Sequence, residues 1–426
     1  MVCQNVDARC RLFTAENVGL GMSGVGEWGR HPRLIWSECV DIGIDALPLM
    51  GRGGISRHLQ DLLPALVSQG EHCRYHLFAR MFRPAQWKRY RRVAAQFMGP
   101  NLYWHRVFLP DRLLECAWTH HDVALPGTGL YMRDLDVFLA TSGLAPAHTP
   151  CPIVGVVHDL IPLRFPQWFP ADLALIRARL EKLVQRSCRI IAVSESTRHD
   201  LQKMLGVPGE KIRVVHHGIH PRFRPPPPER SQTVLAVQGI TGPFFLHVGG
   251  LGPMKNVRGL LEAFRVFQQH FEASSTLVLL GDLRWAGTLP SEVKRLGLTD
   301  RVRFLGFVED DVLPVLYAGA MALVLPSWYE GFGFPALEAM ACGTPVLAAQ
   351  AGSLPDLLGD AALFFPPEAP VQLAELMIRM AADKELHREL RTRGRARAAR
   401  FTWERAATET LAVLQDAATV TPSRGK

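Results

Sequence analysis

Two glutamates eight residues apart, Glu330 and Glu338, bracket a turn of alternating glycines and aromatics, Gly331-Phe332-Gly333-Phe334. An apolar run from Met321 to Leu325 leads into this turn, and Pro335 opens a short helix after it. Proline suits the start of a helix because its φ is already helical and its missing N–H would find no partner there. The amides of Ala336 and Leu337 then point out of the helix start. Together with the positive end of the helix dipole they form an anion site. Glu330 stands before the turn and Glu338 about one helical turn beyond it. Ionised carboxylates are pure hydrogen-bond acceptors. Flanking an anion site, they suit a ligand that carries both phosphate and hydroxyls, such as a nucleotide sugar.

Lys255 is the natural cation for that phosphate. It lies in the loop Gly249-Gly-Leu-Gly-Pro-Met-Lys-Asn256, between a strand at Phe244–Val248 and a helix whose buried face is Leu260, Leu261, Phe264 and Phe267. Asn256 is the candidate N-cap. Dipole logic disfavours a lysine at a helix start, so a bound anion explains its presence. A cation about 4 Å from a phosphate, at an effective dielectric near 20, interacts by roughly 4 kcal/mol. Departure of a nucleoside diphosphate builds negative charge on phosphate, and stabilising that charge is the largest service a closed cleft can give.

The elements that must hold these groups follow an alternating rhythm. Cys39–Leu47 reads as a strand, with Ile42 and Ile44 alternating. A glycine-rich loop from Pro48 to Ile55 follows, then a helix with Leu59, Leu62, Leu63 and Leu66 on one face. Loops at the carboxyl ends of parallel strands are where open α/β sheets bind ligands. Further on come strand Ile153–Val157, the segment His158-Asp-Leu-Ile-Pro162, and a helix with Leu173, Ile176, Leu180 and Leu183. Strand Arg189–Val193 precedes Ser194, read as the N-cap of the next helix, and strand Ile212–His216 closes the first half. In the second half, strands are expected at Thr276–Leu280, Val302–Leu305, Met321–Leu325, Val346–Ala349 and Leu363–Phe365. Strands alternating with helices in both halves imply an α/β fold of two Rossmann-like parallel-sheet domains facing a central cleft.

The turn Glu330-Gly-Phe-Gly-Phe-Pro-Ala-Leu-Glu338 closely resembles the E-x7-E motif of family 4 retaining glycosyltransferases. His-Asp-Leu-Ile-Pro162 and Val193-Ser-Glu-Ser-Thr197 resemble the same family, especially its mannose-handling members. The resemblance covers roughly residues 40 to 415. It implies the GT-B fold, with boundaries at 35–224 for an acceptor-side N-terminal domain, 225–240 for a proline-rich extended linker and 241–400 for a nucleotide-sugar-binding domain. A helix at 401–418 is implied to cross back onto the first domain, flanked by a disordered extension at 1–34 and a loose tail at 419–426. Gly53 and Gly54 are implied to approach the donor phosphates through backbone amides, with Arg52 adding charge. Val308, beside Phe307, is placed to frame the base with its backbone. By resemblance His158 sits over the donor sugar, Glu330 binds hydroxyls of the transferred sugar and Glu338 those of the ribose, while Gly331, Phe332, Gly333, Phe334 and Leu337 complete the donor site. Relatives retain anomeric configuration by front-face attack and need neither metal nor cofactor beyond the nucleotide-sugar co-substrate, here leaning to GDP-mannose. One departure stands out. Family members usually carry an arginine where this sequence has Gly250 or Met254, which leaves Arg52, Arg258 and Arg284 as candidate substitutes.

Composition bounds the alternatives. At 426 residues, with 48% hydrophobic and 21% charged residues, the chain is of soluble globular type and long enough for two domains. Its 48 basic against 40 acidic residues give a net charge of +8, which favours anionic partners. Nucleic acid is a minor reading, because no zinc finger, RNA-binding aromatic motif or basic zipper is present. The scattered cysteines and the lack of a basic-then-apolar start point to the reducing cytoplasm. Residues 80–92 form an irregular stretch in which cations interleave with Phe82, Trp87 and Tyr90. A solvated helix face with its aromatics in the core is the plainer reading, and a membrane contact near a lipid-linked acceptor the other. A glycoside hydrolase using the two glutamates does not explain the anion site or Lys255. A sugar-nucleotide epimerase or a non-catalytic sugar-nucleotide sensor remains a rival for the same residues.

Overall fold

Runs that are apolar at nearly every position, such as Ile153–Val157 and Phe244–Val248, are buried along their whole length, as in a parallel sheet covered on both faces. A computed structural model of the chain describes residues 39–51, 53–80, 84–108, 110–121, 123, 132–270 and 275–419. The expectations for 1–34, for Arg52 and Phe82 and for the tail from 420 onward lie outside the described residues.

Two parallel sheets carry the fold. The first has the order β3-β2-β1-β4-β5-β6-β7, with β1 at Asp41–Asp45, β2 at Arg74–Arg80, β3 at Leu102–Val107, β4 at Val137–Ala140, β5 at Ile153–Val157, β6 at Ser187–Ala192 and β7 at Ile212–Val214. The second has the order β10-β9-β8-β11-β12-β13, with β8 at Phe244–Val248, β9 at Thr276–Leu280, β10 at Val302–Gly306, β11 at Ala322–Leu325, β12 at Val346–Ala349 and β13 at Leu363–Phe365. Strand order reverses between β1 and β4 in one sheet and between β8 and β11 in the other. Such reversals open a crevice at the carboxyl ends of the strands, because the following loops leave in opposite directions. The glycine loop after β1 stands at the first crevice. The Lys255 loop after β8 and the Glu330 turn after β11 flank the second.

Helical faces pack as their spacing requires. Leu59, Leu62, Leu63 and Leu66 of helix Gly54–Gln69 are buried, as are Leu260, Leu261, Phe264 and Phe267 of helix Val257–His270. In helix Leu173–Arg186 only Leu183 is fully buried, so Leu173, Ile176 and Leu180 form a half-covered face. The C-terminal helix Trp403–Thr419 lies on helix Gly54–Gln69 and on β4, β5 and β6 of the first sheet. Where the chain crosses over, Gly218 passes so close that a Cβ there would lie 2.2 Å from the Trp403 amide nitrogen.

Two stretches differ from expectation. Within 80–92, β2 runs to Arg80 and Pro84–Gln96 is a helix, not an irregular segment. Its Trp87 and Tyr90 are half-buried, Tyr90 meeting Trp104 of edge strand β3 at 5.4 Å between ring centroids, while Lys88, Arg89, Arg91 and Arg92 are exposed. Within 225–240, Pro228–Val237 is a helix rather than an extended linker. A proline is as good a first helical residue as a member of an extended run, and Pro228 starts the helix. Leu235 then packs against Gly319, where an added Cβ would lie 2.9 Å from its Cδ1.

Candidate active site

The loops at both crevices enclose one cleft of about 630 Å³. Gly53, Gly54, His158, Lys255, Val308, Glu330, Gly331, Phe332, Gly333, Phe334 and Glu338 all line it, so the structure brings together residues from the loops after β1, β5, β8, β10 and β11 and from the helix Phe334–Ala341. Leu337 does not line it, because its side chain is fully buried beneath the helix Phe334–Ala341. Gly333, at φ 89°, is that helix's N-cap. The Ala336 amide is not a free donor, since it closes the first turn on the Gly333 carbonyl at 3.1 Å. Gly331 passes so near the other lobe that a Cβ would lie 2.5 Å from the His158 carbonyl oxygen. Ser194 caps helix Glu195–Leu205, accepting from the Thr197 amide, and its Oγ also donates to the Gly331 carbonyl at 2.7 Å. Gly331→Ala is therefore expected to push the lobes apart and cost about 1–3 kcal/mol of stability, readable as a lower midpoint in urea.

Charge in the cleft includes two ion pairs. Lys255 ends a short 3-10 turn, Pro253–Lys255, and its Nζ donates to Glu330 Oε1 at 2.6 Å, the same oxygen that accepts from Ser327 Oγ at 2.7 Å. Asn256 tethers this loop, donating from Nδ2 to the Pro326 and Pro367 carbonyls. Glu338, only 1% exposed, accepts from Arg57 on one oxygen and from the Tyr317 hydroxyl on the other at 2.8 Å. Burial pushes the Glu338 carboxyl up from its ordinary range, while Arg57 pulls it down. With both oxygens accepting, the group serves as an ionised acceptor.

Histidines form the floor. The His158 ring lies 4.9 Å from His58 and 5.6 Å from His217 between centroids, and His217 stacks on Phe334 at 4.9 Å and 2°. His158 bonds the Thr141 backbone, and its Nε2 is buried with no hydrogen-bond partner among the described residues.

Burial pulls His158 down to about 4, from an ordinary 6.5, and holds His58 and His217 well below that ordinary value. In the unfolded chain each takes up a proton near pH 6.5, so across this window the fold binds fewer protons. Stability contributed by neutral His158 is full above about pH 6.5 and is lost as pH falls toward 4, by at most about 3 kcal/mol. His217→Phe, which removes one such group, is expected to flatten the fall in unfolding free energy between pH 7 and pH 5 measured by urea denaturation.

Comparison with known proteins gives the family and the fold. A model described as Glycosyltransferase Family 4 matches residues 52–223, and one described as Glycosyl transferases group 1 matches residues 236–397. Over 265 residues, 61% of this chain and 68% of the relative, the sequence is 31% identical to O-antigen chain mannosyltransferase B of Escherichia coli. The chain belongs to glycosyltransferase family 4. This family 4 protein is also 29% identical to a D-inositol 3-phosphate glycosyltransferase of Jonesia denitrificans, over 62% of the chain and 66% of that relative. Its fold is GT-B: HepE of Anabaena, solved with UDP and glucose, superposes with a TM-score of 0.66 at 20% identity, covering 88% of this chain and 99% of that one.

Several lining residues of the family 4 cleft escaped the sequence reading. Arg57, Asp159, His217, Asp282, Trp285 and Asp310 all face it. Trp285 and Phe307 are 67% and 66% exposed, presenting open aromatic surface where only the backbone of Phe307 and Val308 had been considered. Two of the candidates for the absent arginine, Arg258 and Arg284, lie among the described residues. Arg258 pairs with Glu292 at 2.7 Å and Arg284 with Asp282 at 2.5 Å, and neither lines the cleft. Arg57 does. The dipole argument that singled out Lys255 applies equally to a cation in the first turn of helix Gly54–Gln69, and that was the available signal.

Proposed function

We propose that this protein is a retaining hexosyltransferase that moves mannose from GDP-mannose to a glycan or lipid-linked acceptor in polysaccharide biosynthesis. The observation that carries this reading is the meeting of Lys255, Glu330, Glu338 and the Gly53-Gly54 amides in one cleft. Those groups match the chemistry of a sugar nucleotide part by part. Lys255 and the amides take the pyrophosphate, Glu330 the sugar hydroxyls and Glu338 the ribose, while His158 sits over the sugar. The bond between the anomeric carbon and the phosphate oxygen breaks as the acceptor oxygen bonds the same carbon from the same face. The acceptor proton leaves with the departing diphosphate. No metal or cofactor takes part in this scheme, and positioning with charge stabilisation supplies the acceleration. Mannose is favoured by likeness to the Escherichia coli mannosyltransferase.

Incubating the protein with GDP-mannose, UDP-glucose and UDP-galactose tests the reading. Transfer, or slow release of free sugar from GDP-mannose, supports it. An isomerised donor marks an epimerase, and binding without turnover marks a sensor. The reading also places the enzyme in the cytoplasm, at the inner membrane face, with Lys88, Arg89, Arg91 and Arg92 of helix Pro84–Gln96 toward anionic headgroups. No described helix is long and apolar enough to cross a membrane. Neutralising those four cations should weaken co-sedimentation with phosphatidylglycerol vesicles, and unchanged binding removes the membrane contact from the reading.

A further inference from the structure

Two cations and five carboxylates are found among the described lining residues of the cleft: Arg57 and Lys255 against Asp159, Asp282, Asp310, Glu330 and Glu338. A diphosphate adds further negative charge to that surplus, so a single lysine is a poor counter-charge. Both cations are already engaged, Lys255 with Glu330 across 75 residues of sequence and Arg57 with Glu338 across 281. Arg57 and Glu338 stand on opposite lobes. Each of these two lobes thereby lends a charged group to the other.

We infer that Arg57 is the second pyrophosphate-binding cation and that donor binding is an exchange of partners. Ribose hydroxyls displace Arg57 from Glu338, and the released guanidinium turns to the diphosphate. This rests on the donor reading proposed above. Local geometry supports it. Arg57 N donates to the Gly53 carbonyl at 2.9 Å, closing the first turn of helix Gly54–Gln69. Its side chain therefore springs from the same turn as the Gly53-Gly54 amides, where nothing lies within 4 Å of an added Cβ at either glycine. A phosphate resting on that open helix start is within reach of a long side chain one turn on. Guanidinium has five N–H donors in a planar fork that matches both carboxylate and phosphate, so it can change partner without losing hydrogen-bond quality. At Glu338 two ribose hydroxyls donate in place of the single charged bond from Arg57, and Tyr317 keeps its bond. Arg57 binds and positions the donor, and it couples ribose recognition to phosphate recognition.

A nucleoside without phosphates would have to break the Arg57–Glu338 pair and offer the arginine nothing in return. Calorimetric titration of the full chain with GDP, UDP, guanosine and uridine therefore tests the inference. Arg57→Gln is expected to bind its preferred nucleoside diphosphate 10- to 100-fold more weakly than the wild type, yet to bind the matching nucleoside at least 3-fold more tightly. Arg57→Lys, which keeps the charge and loses the fork, should fall between. An unchanged ratio of diphosphate to nucleoside affinity in both variants overturns the exchange while leaving the donor reading intact, provided Lys255→Ala still loses diphosphate binding. A wild type that binds neither GDP nor UDP overturns both. Should Arg57→Gln fail to fold, the ratio in Arg57→Lys decides alone.

Discussion

Lys255→Ala is expected to lower turnover by about two to three orders of magnitude. In the proposed reaction the side chain meets charge that grows as the diphosphate departs, and at about 4 Å with an effective dielectric near 20 that is worth roughly 4 kcal/mol, close to three decades in rate. Loss of one preorganised charge donor in other enzymes costs about 10²- to 10³-fold. The ion pair with Glu330 adds a second effect. Lys255 also neutralises Glu330, whose side chain is only 13% exposed, so its removal strands a half-buried carboxylate and lowers stability as well. Two measurements separate the effects. Thermal unfolding reports the stranded carboxylate, whereas single-turnover transfer at saturating donor reports the lost charge stabilisation. Lys255→Arg should restore stability in full and rate in part, because it keeps the ion pair with Glu330 but spreads its charge. A fully active Lys255→Ala protein would remove this lysine from the chemistry.

Glu330→Gln and Glu338→Gln are expected to fail in different ways. Glu330 faces the transferred sugar in this reading, so its loss should depress turnover by about 10²-fold and leave affinity for the nucleoside diphosphate close to wild type. Freed from Glu330, Lys255 has one fewer competitor for phosphate, and diphosphate affinity in Glu330→Gln should rise if it moves at all. Glu338 is buried between Arg57 and Tyr317 and faces the ribose, so Glu338→Gln should weaken free nucleotide binding by about 10-fold, the loss of a charged acceptor for two hydroxyls. Burial raises the Glu338 proton affinity, so the neutral amide is tolerated structurally more readily than a truncation. Equal effects of both substitutions on turnover and on nucleotide affinity would contradict the division of labour.

Both expectations show why the cleft should be treated as a linked set of charges. Lys255, Glu330, Arg57 and Glu338 are partnered crosswise before any ligand arrives. A variant at one position therefore changes what its partner can do. Double substitution of Arg57 and Glu338 is the sensitive check, since removing both members costs less stability than the sum of the two single substitutions when the pair is real. Beneath them the neutral histidines impose a separate acid sensitivity, so activity and stability need to be measured above pH 7 to keep the two effects apart.

What sequence alone determined was whatever depends on local order. Buried strands such as Ile153–Val157, Phe244–Val248, Thr276–Leu280 and Val346–Ala349 stand where continuous apolar runs placed them, because a strand covered on both faces needs no alternation to be recognised. Helical spacing gave the faces Leu59–Leu66 and Leu260–Phe267, strand-helix alternation the two sheets, and the glycine turn, its helix start and the family resemblance the gathering of Lys255, Glu330 and Glu338. Strands β2 and β3 were not. In Arg74–Arg80 and Leu102–Val107 charged and aromatic residues interrupt the pattern, and edge strand β3 is fully buried at no residue, so no clean period remains. Pro228 was ambiguous because one residue type serves both an extended run and a helix start. Only the tertiary structure decided that Arg57 pairs with Glu338. They lie 281 residues apart, on helices of different sheets, and their meeting depends on two strand-order reversals facing one another. Periodicity records which face of an element is buried. It carries no record of which distant charge that face will meet, and the balance of charge in this cleft was settled by that second question.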